Sequence, residues 1–133
     1  MSNAKTAGAH HVGLTVPDLD QAREFFIDAL AFEQVGEVPD YPAAFVSDGS
    51  VMITLWQAED PNSATPFDRR RNIGLHHLAL RVGSEQALKN LADELGTRDD
   101  TSIEFEPEAL GSTGIRHMMC RIPGNIRLEL IAA

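Results

Sequence analysis

The sequence has few cysteines, few aromatic residues and no long hydrophobic run. Its single cysteine, Cys120, cannot form an internal disulfide, so we expect a reduced, cytoplasmic protein. The apolar neighbours of Cys120 indicate a small buried side chain. No apolar segment reaches the roughly 18–20 residues that a membrane span requires. Residues 1–9 are small and polar, and we expect a flexible N-terminus there without an export signal.

Positive charge is also scarce. The chain has 11 lysines and arginines against 20 aspartates and glutamates, which gives a formal net charge of -9. This balance argues against nucleic acid and against an anionic membrane as partners. The run Arg69-Arg70-Arg71 is a local exception. It is either a solvated linker, which is the simpler interpretation, or a segment that binds an anionic substrate tail or a carboxylate across an interface.

The chain contains an internal repeat. HHVGLTV at residues 10–16 resembles HHLALRV at residues 76–82, and a good helix N-cap, Asp18 or Ser84, follows each segment. Apolar residues at helical spacing then predict helices over about 19–30 and 85–95. The ends of the two halves also match, because DGSVMITL at 48–55 aligns with PGNIRLEL at 123–130.

Each half therefore has the order strand, helix and three strands, which predicts an α+β fold made of two βαβββ modules. We place the first module at 10–57, a linker at 58–73 and the second module at 74–133. Neither half is long enough to bury much core alone, so we expect one structural domain overall. Strands are predicted at 10–16, 33–38, 43–47, 51–57, 75–82, 102–106, 115–121 and 126–131.

The alternation of side chains along the strands points to three residues. Alternate residues of a strand face opposite sides, and the apolar set of each strand should face the helix. His11, His77 and Glu129 all lie on the other face of their strands. Two histidines and one carboxylate suit a divalent metal that keeps open coordination positions for a substrate. His10 and His76 have the opposite parity, and we interpret them as packing or hydrogen-bonding residues.

The stretch HHVGLTVPDLDQAREFFIDALAF at residues 10–32, together with HHLALRV and PGNIRLEL, resembles the vicinal oxygen chelate superfamily. That superfamily includes glyoxalase I, extradiol dioxygenases, fosfomycin-resistance transferases, methylmalonyl-CoA epimerases and bleomycin-binding proteins. The resemblance covers about residues 10–131. It implies paired βαβββ modules that form an open, U-shaped barrel around a metal, and in most members a homodimer.

The resemblance places His11, His77 and Glu129 on the ligand positions of the superfamily, with one divalent ion of Fe, Ni, Zn, Mn or Co. The fourth position falls on Thr54, where glyoxalase I and the epimerases have a Glu or Gln, so glyoxalase I activity is in doubt. Gln57 could replace Thr54 only through a bulge, because its parity is opposite.

Three functions remain open at this point. The favoured one is a metal-dependent lyase or isomerase whose substrate chelates through vicinal oxygens, with Glu129 and His117 as catalytic residues. The second is an extradiol-type ferrous dioxygenase, which the lone tyrosine, Tyr41, supports poorly. The third is a non-catalytic small-ligand-binding protein of the bleomycin-resistance kind. The candidate substrate-pocket residues are Met52, Thr54, Trp56, Arg81 and Arg127.

Overall fold

A computed structural model describes residues 3–133 of the chain. Their backbone divides into two compact units, Met1–Asn62 and Ser63–Ala133, and each unit contains one four-stranded sheet. The first two residues of the predicted flexible N-terminus lie outside the described residues, and residues 3–9 form no helix or strand. Within residues 3–133, no helix is both long and apolar enough to span a membrane.

The first unit has the predicted strand, helix and three strands. Its sheet has the order β1-β4-β3-β2, in which β1 and β4 are parallel and the other neighbours are antiparallel. Its elements are β1 (His11–Val16), α1 (Leu19–Glu24), a π-helical turn (Phe25–Ala29), β2 (Glu33–Val38), β3 (Ala43–Ser47) and β4 (Met52–Gln57).

The helical segment of the first unit begins where the sequence predicts. The Asp18 carboxylate accepts a hydrogen bond from the Gln21 amide and so caps α1. The segment does not stay α-helical to residue 30, because a π-helical turn follows Glu24. That turn carries Phe25 and Phe26, which are 0% and 1% exposed. Two adjacent large side chains both reach the core here, which regular α-helical spacing does not favour.

The second unit repeats this topology. Its sheet has the order β5-β8-β7-β6, with β5 and β8 parallel and the other neighbours antiparallel. The predicted α+β class and both βαβββ modules are therefore confirmed. Its elements are β5 (Leu78–Arg81), α2 (Glu85–Leu95), β6 (Ser102–Ala109), β7 (Arg116–Ile122) and β8 (Ile126–Ala132).

Helix α2 packs its apolar stripe on the second sheet. The Ser84 hydroxyl accepts a hydrogen bond from the Ala87 amide, and the helix ends at Gly96, as the sequence predicts. Leu88 and Leu95 are fully buried against the sheet. Cys120 is buried as well, and burial raises the pKa of its thiol to about 12, so the thiol stays protonated at neutral pH.

The strand faces also follow the predicted alternation. Leu14 and Val16 of β1 are buried, whereas His11 and Thr15 are exposed on the other face. Of the two roles expected for His10 and His76, packing or hydrogen bonding, the structure shows hydrogen bonding. Both rings are exposed, so neither packs in the core, and each hydrogen-bonds to the histidine that follows it.

Candidate metal and substrate site

The centre of the site in the second unit is the carboxylate of Glu129. Its Oε1 lies 3.1 Å from Nε2 of His77, and its Oε2 lies 2.6 Å from Nδ1 of His117. Glu129 is 9% exposed, and it lies in a strand whose other residues are apolar except for Arg127. The parallel register of β5 with β8 places His77 beside it, and the antiparallel register of β7 brings His117 to the same face. The structure therefore brings together three residues that the sequence predicts for the site, namely His77, His117 and Glu129. All three belong to the second unit.

The His77–Glu129 pair has the spacing of two adjacent metal ligands. Two ligand atoms about 2.1 Å from one ion and at right angles to each other are separated by about 3 Å. The pair thus fits two positions of a metal site. Within residues 3–133, no group of three or more histidine, cysteine, aspartate or glutamate side chains is arranged to hold a metal ion. His117 does not complete such a group, because its Nδ1 faces the carboxylate as a hydrogen-bond partner.

Each unit has a pair of adjacent histidines, His10–His11 or His76–His77, and the two pairs have the same arrangement. We call them the doubled histidines. Nδ1 of His10 lies 2.9 Å from Nδ1 of His11, and Nδ1 of His76 lies 2.8 Å from Nδ1 of His77. The ring centroids are 5.1 Å apart in each pair, edge to face. In both pairs the hydrogen bond occupies Nδ1 of the second histidine, which leaves its Nε2 available. Metal-binding histidines in proteins are held in this way by a partner at the other ring nitrogen.

Arg127 favours an acceptor at Nδ1 of His76. Its guanidinium lies 3.1 Å from that atom, and arginine can only donate. The same Nδ1 lies 2.8 Å from Nδ1 of His77, whose Nε2 lies 3.1 Å from Oε1 of Glu129. Desolvation and then the charge of Arg127 lower the pKa of His76, which favours the neutral ring that this arrangement requires.

In the first unit, the position equivalent to Glu129 is used for packing. The indole N–H of Trp56 donates a hydrogen bond of 2.8 Å to the hydroxyl of Thr54, which is 3% exposed. Gly13 lies opposite Thr54, and a Cβ at Gly13 would approach that hydroxyl to 3.2 Å. The pairing of β1 with β4 is uninterrupted, so no bulge turns Gln57 to this face. The Gln57 side chain instead holds the start of α1, through the Leu19 amide and the Pro17 carbonyl.

The candidate pocket residues of the first unit share one face of its sheet. Met52, Thr54 and Trp56 pair with His11, Gly13 and Thr15 along the parallel β1–β4 ladder. Tyr41 adds its ring edge-on to Trp56 at 4.6 Å between centroids, and it is 59% exposed. This aromatic corner, which also includes Phe45, is a contact that the sequence pattern does not reveal.

The two arginines of the candidate pocket have different surroundings in the second unit. Arg81 is exposed on β5, on the same face as Ala79, which pairs with Glu129. Arg127 is buried on β8 and is engaged by Glu104 of β6, whose Oε2 accepts a hydrogen bond of 2.7 Å from the Arg127 guanidinium.

Glu104 forms ion pairs with several arginines, and the sequence analysis did not identify it. In addition to Arg127, its carboxylate lies 3.4 Å from the guanidinium groups of both Arg69 and Arg121. The hydrogen bond from Arg127 is the largest of the effects that hold the pKa of Glu104 below its usual range. Glu104 lies at a register shift between β6 and β7, and β6 extends to Ala109, beyond the predicted residue 106.

Replacing Glu104 by glutamine should destabilise the protein at neutral pH, by an amount on the order of 1 kcal/mol. Because the folded-state pKa of Glu104 is lowered, its stabilising effect is present above the unfolded-state pKa and is lost as the pH falls through the folded-state value. We therefore expect the stability difference between wild type and Glu104→Gln to shrink as the pH falls below about 4.5. Urea unfolding of both proteins at a series of pH values measures this stability difference. A difference that stays constant down to acidic pH would contradict this role.

The fold and the His77–Glu129–His117 arrangement define a βαβββ protein with a histidine–carboxylate site on the sheet face opposite its helix. The family model of the Glyoxalase/Bleomycin resistance protein/Dioxygenase superfamily matches residues 8–130. The chain belongs to this superfamily, as its sequence motifs predict. A 2-epi-5-epi-valiolone epimerase from Actinomyces sp is 28% identical, over 92% of this chain and 77% of the epimerase.

Solved structures show the same fold. A glyoxylase/bleomycin resistance protein/dioxygenase domain from Frankia sp. EAN1pec superposes with a TM-score of 0.82 and 26% identity, over 97% of this chain and 99% of that domain. Lactoylglutathione lyase from Agrobacterium tumefaciens superposes with a TM-score of 0.72, over 98% of this chain and 96% of the lyase. At 18% identity, that second similarity concerns the fold alone.

Proposed function

We propose that the protein is a divalent-metal-dependent isomerase that moves a proton on a small substrate with two adjacent oxygen atoms. The observation that carries this proposal is the buried carboxylate of Glu129, whose two oxygens face two different histidines. A carboxylate in an apolar strand is unfavourable unless it is well partnered, so its retention there suggests a chemical role.

In this proposal His11, His77 and Glu129 are the metal ligands. A bound divalent ion would act as a Lewis acid that stabilises the negative charge of an enediolate or similar oxyanion. The His77 ring supports this ligand set because its Nδ1 is held by His76 and its Nε2 lies 3.1 Å from Oε1 of Glu129, the spacing of two adjacent ligands. The matching His10–His11 pair leaves Nε2 of His11 available in the same way. Fe, Ni, Zn, Mn and Co all suit two imidazoles and a carboxylate, so the identity of the metal stays open.

His117 is the proposed proton carrier. Its Nδ1 lies 2.6 Å from Oε2 of Glu129, so the ring donates there and keeps a lone pair on Nε2. That Nε2 would accept the proton from the substrate carbon and return it, while Glu129 stabilises the protonated ring. Phe105 packs edge-on against the ring at 4.9 Å and limits its rotation, which favours a fixed direction of proton transfer.

One relative supports isomerase chemistry for this proposal. The similar protein from Actinomyces is named an epimerase, and epimerisation beside a carbonyl consists of removing and returning one proton. Thr54 cannot move a proton as a carboxylate does, and its hydroxyl already accepts a hydrogen bond from Trp56. Met52, Trp56, Arg81 and Arg127 remain the proposed substrate-pocket residues, and a cytoplasmic homodimer remains the proposed assembly.

The proposal is tested first by metal content. Elemental analysis of wild-type protein should find about one divalent ion per chain, the stoichiometry of a single two-histidine, one-carboxylate site. His77→Ala should lose this ion, whereas the exposed α2 variant Glu94→Gln should keep it. Iron in the wild type would favour the dioxygenase alternative, with oxygen uptake on catechols as its assay. Wild-type protein that binds no divalent ion after reconstitution at neutral pH would refute the metal-dependent enzyme and leave a small-ligand-binding protein.

Isomerase activity is tested by proton exchange. In deuterated water, the metal-loaded enzyme should introduce deuterium at the carbon beside the carbonyl of its substrate, with 2-epi-5-epi-valiolone as the first candidate. His117→Phe should reduce the exchange rate by about 100-fold or more, as expected for loss of a general base. Exchange at the wild-type rate in His117→Phe would exclude His117 as the proton carrier.

A further inference from the structure

A second feature of the 63–133 unit is a pocket lined by arginines. This arginine pocket has a volume of about 360 Å³. Its lining comes from the 67–70 segment and from the adjoining parts of β7 and β8. The lining residues are Phe67, Asp68, Arg69, Arg70, Arg121, Asn125 and Arg127.

The pocket is positive in a protein that is strongly negative. Four arginines line it, and the carboxylates beside them are Asp68 and Glu104, whereas the whole chain has a net charge of -9. The acidic chain repels anions at long range, so a local excess of guanidinium groups in a concave site requires a specific reason. Binding of an anion is the function for which guanidinium groups are best suited, since their fork matches the oxygens of phosphate and carboxylate groups.

The arginines are held in position before any ligand arrives. Asn125 donates from its side-chain amide to the Phe67 carbonyl at 3.4 Å, which ties the 67–70 segment to the turn before β8. Arg69 ties the same segment to Glu104 of β6, at 3.4 Å. The Asp68 carboxylate accepts a hydrogen bond from the Arg70 backbone amide and so shapes the turn. Such preorganisation lowers the entropy that binding would otherwise cost.

Not all of the positive charge is neutralised by the protein. Arg127, Arg121 and Arg69 share the single carboxylate of Glu104. Within residues 3–133, the guanidinium of Arg70 has no carboxylate within ion-pair distance, and it is exposed. The pocket therefore retains donors that a ligand oxygen can use.

The pocket lies next to the proposed catalytic carboxylate. Arg127 and Glu129 are two residues apart on β8 and face the same side, and Arg121 pairs directly with Arg127 across β7 and β8. A molecule held in the pocket by an anionic group could extend along this face toward Glu129 and His117.

We propose that the arginine pocket binds a phosphate or carboxylate group, so that the protein prefers an anionic small molecule whose reactive end reaches Glu129 to an uncharged substrate such as 2-epi-5-epi-valiolone. The substrate assignment rests on the proposed function, but binding of an anion in the pocket does not. Of the two interpretations that the sequence left open for residues 69–71, this proposal takes the binding of an anionic group for Arg69 and Arg70.

The test is titration of the metal-free protein with inorganic phosphate and, separately, with succinate. Calorimetry measures the affinity, and NMR shifts of the arginine side chains and of Asn125 locate the binding site. Arg70→Gln and Arg121→Gln should each bind roughly tenfold more weakly than wild type, as expected for loss of one charge-assisted contact. Lys89→Gln is the matched control, because it removes the same charge from an exposed position on α2. It should bind like wild type.

The two ligands distinguish the anionic groups. Tighter binding of phosphate would indicate a phosphorylated substrate, and tighter binding of succinate would indicate a carboxylic acid. The proposal is overturned if wild type binds neither ligand saturably, if Lys89→Gln weakens binding as much as Arg70→Gln does, or if the shifts map outside the pocket. Because the titration uses metal-free protein, its failure would leave the metal-content test of the proposed function unaffected.

Discussion

Replacing Glu129 by glutamine is expected to abolish stoichiometric binding of a divalent ion. The substitution keeps the size of the side chain but removes the negative charge between His77 and His117. Loss of a residue that only orients a ligand commonly reduces metal affinity about 10–100-fold, so loss of the proposed carboxylate ligand itself should cost more than about 100-fold. The measurement is a competition titration with a chromophoric chelator at neutral pH, with zinc as the probe ion.

A matched control separates this effect from a general loss of negative charge. Glu106→Gln removes a carboxylate from an exposed position on β6 of the same sheet. It should bind zinc like wild type, and both variants should keep the wild-type circular dichroism spectrum. If Glu129→Gln binds zinc with wild-type affinity, Glu129 is not a ligand, and its two histidine contacts serve only the stability of the sheet.

The largest effect on stability is expected for Phe26→Ala. Phe26 is 1% exposed, contacts the rings of Phe25 and Phe32 edge-on, and lies in the π-helical turn that closes the core of the first unit. Truncation of a buried phenylalanine removes its burial and leaves a cavity, which costs about 3–5 kcal/mol. Since single domains are stable by only about 5–15 kcal/mol, the variant should unfold at a much lower urea concentration.

The neighbouring residue provides the control for this prediction. Ile27 belongs to the same π-helical turn but is 36% exposed. Ile27→Ala should therefore cost less than about 1 kcal/mol, because surface truncations away from the core have small effects. Equal losses in the two variants would show that the turn itself, rather than the burial of Phe26, determines the stability of this segment.

Local patterns were sufficient to predict the topology. The alternation in β1 and β8 predicted the core faces, and the N-cap residues Asp18 and Ser84 predicted the starts of both helices. The internal repeat then supplied the order of the strands, because two similar segments adopt similar structures. The parity argument placed His77 and Glu129 on equivalent strand faces, and the parallel pairing of β5 with β8, which the sequence did not predict, brings the two side chains together.

The interactions that depend on strand register could not be predicted in this way. The contact between His117 and Glu129 requires the particular antiparallel pairing of β7 with β8, and Glu104 lies at a register shift between β6 and β7. Neither leaves a periodic signal in the chain. The π-helical turn was missed because the apolar stripe over residues 19–30 fits α-helical spacing well enough to hide it. The doubled histidines were visible, but their mutual hydrogen bonds depend on ring orientations that no spacing encodes.

The contrast between Thr54 and Glu129 bears on how such a protein diverges. Both residues occupy the same place in the repeated module, the centre of its last strand beside the histidine strand. One copy has an ionisable group there, and the other has a hydroxyl bound to Trp56. A repeated module therefore offers two versions of one position, which can change independently. A single substitution in one copy can alter which reactions the protein supports while the other copy stays unchanged.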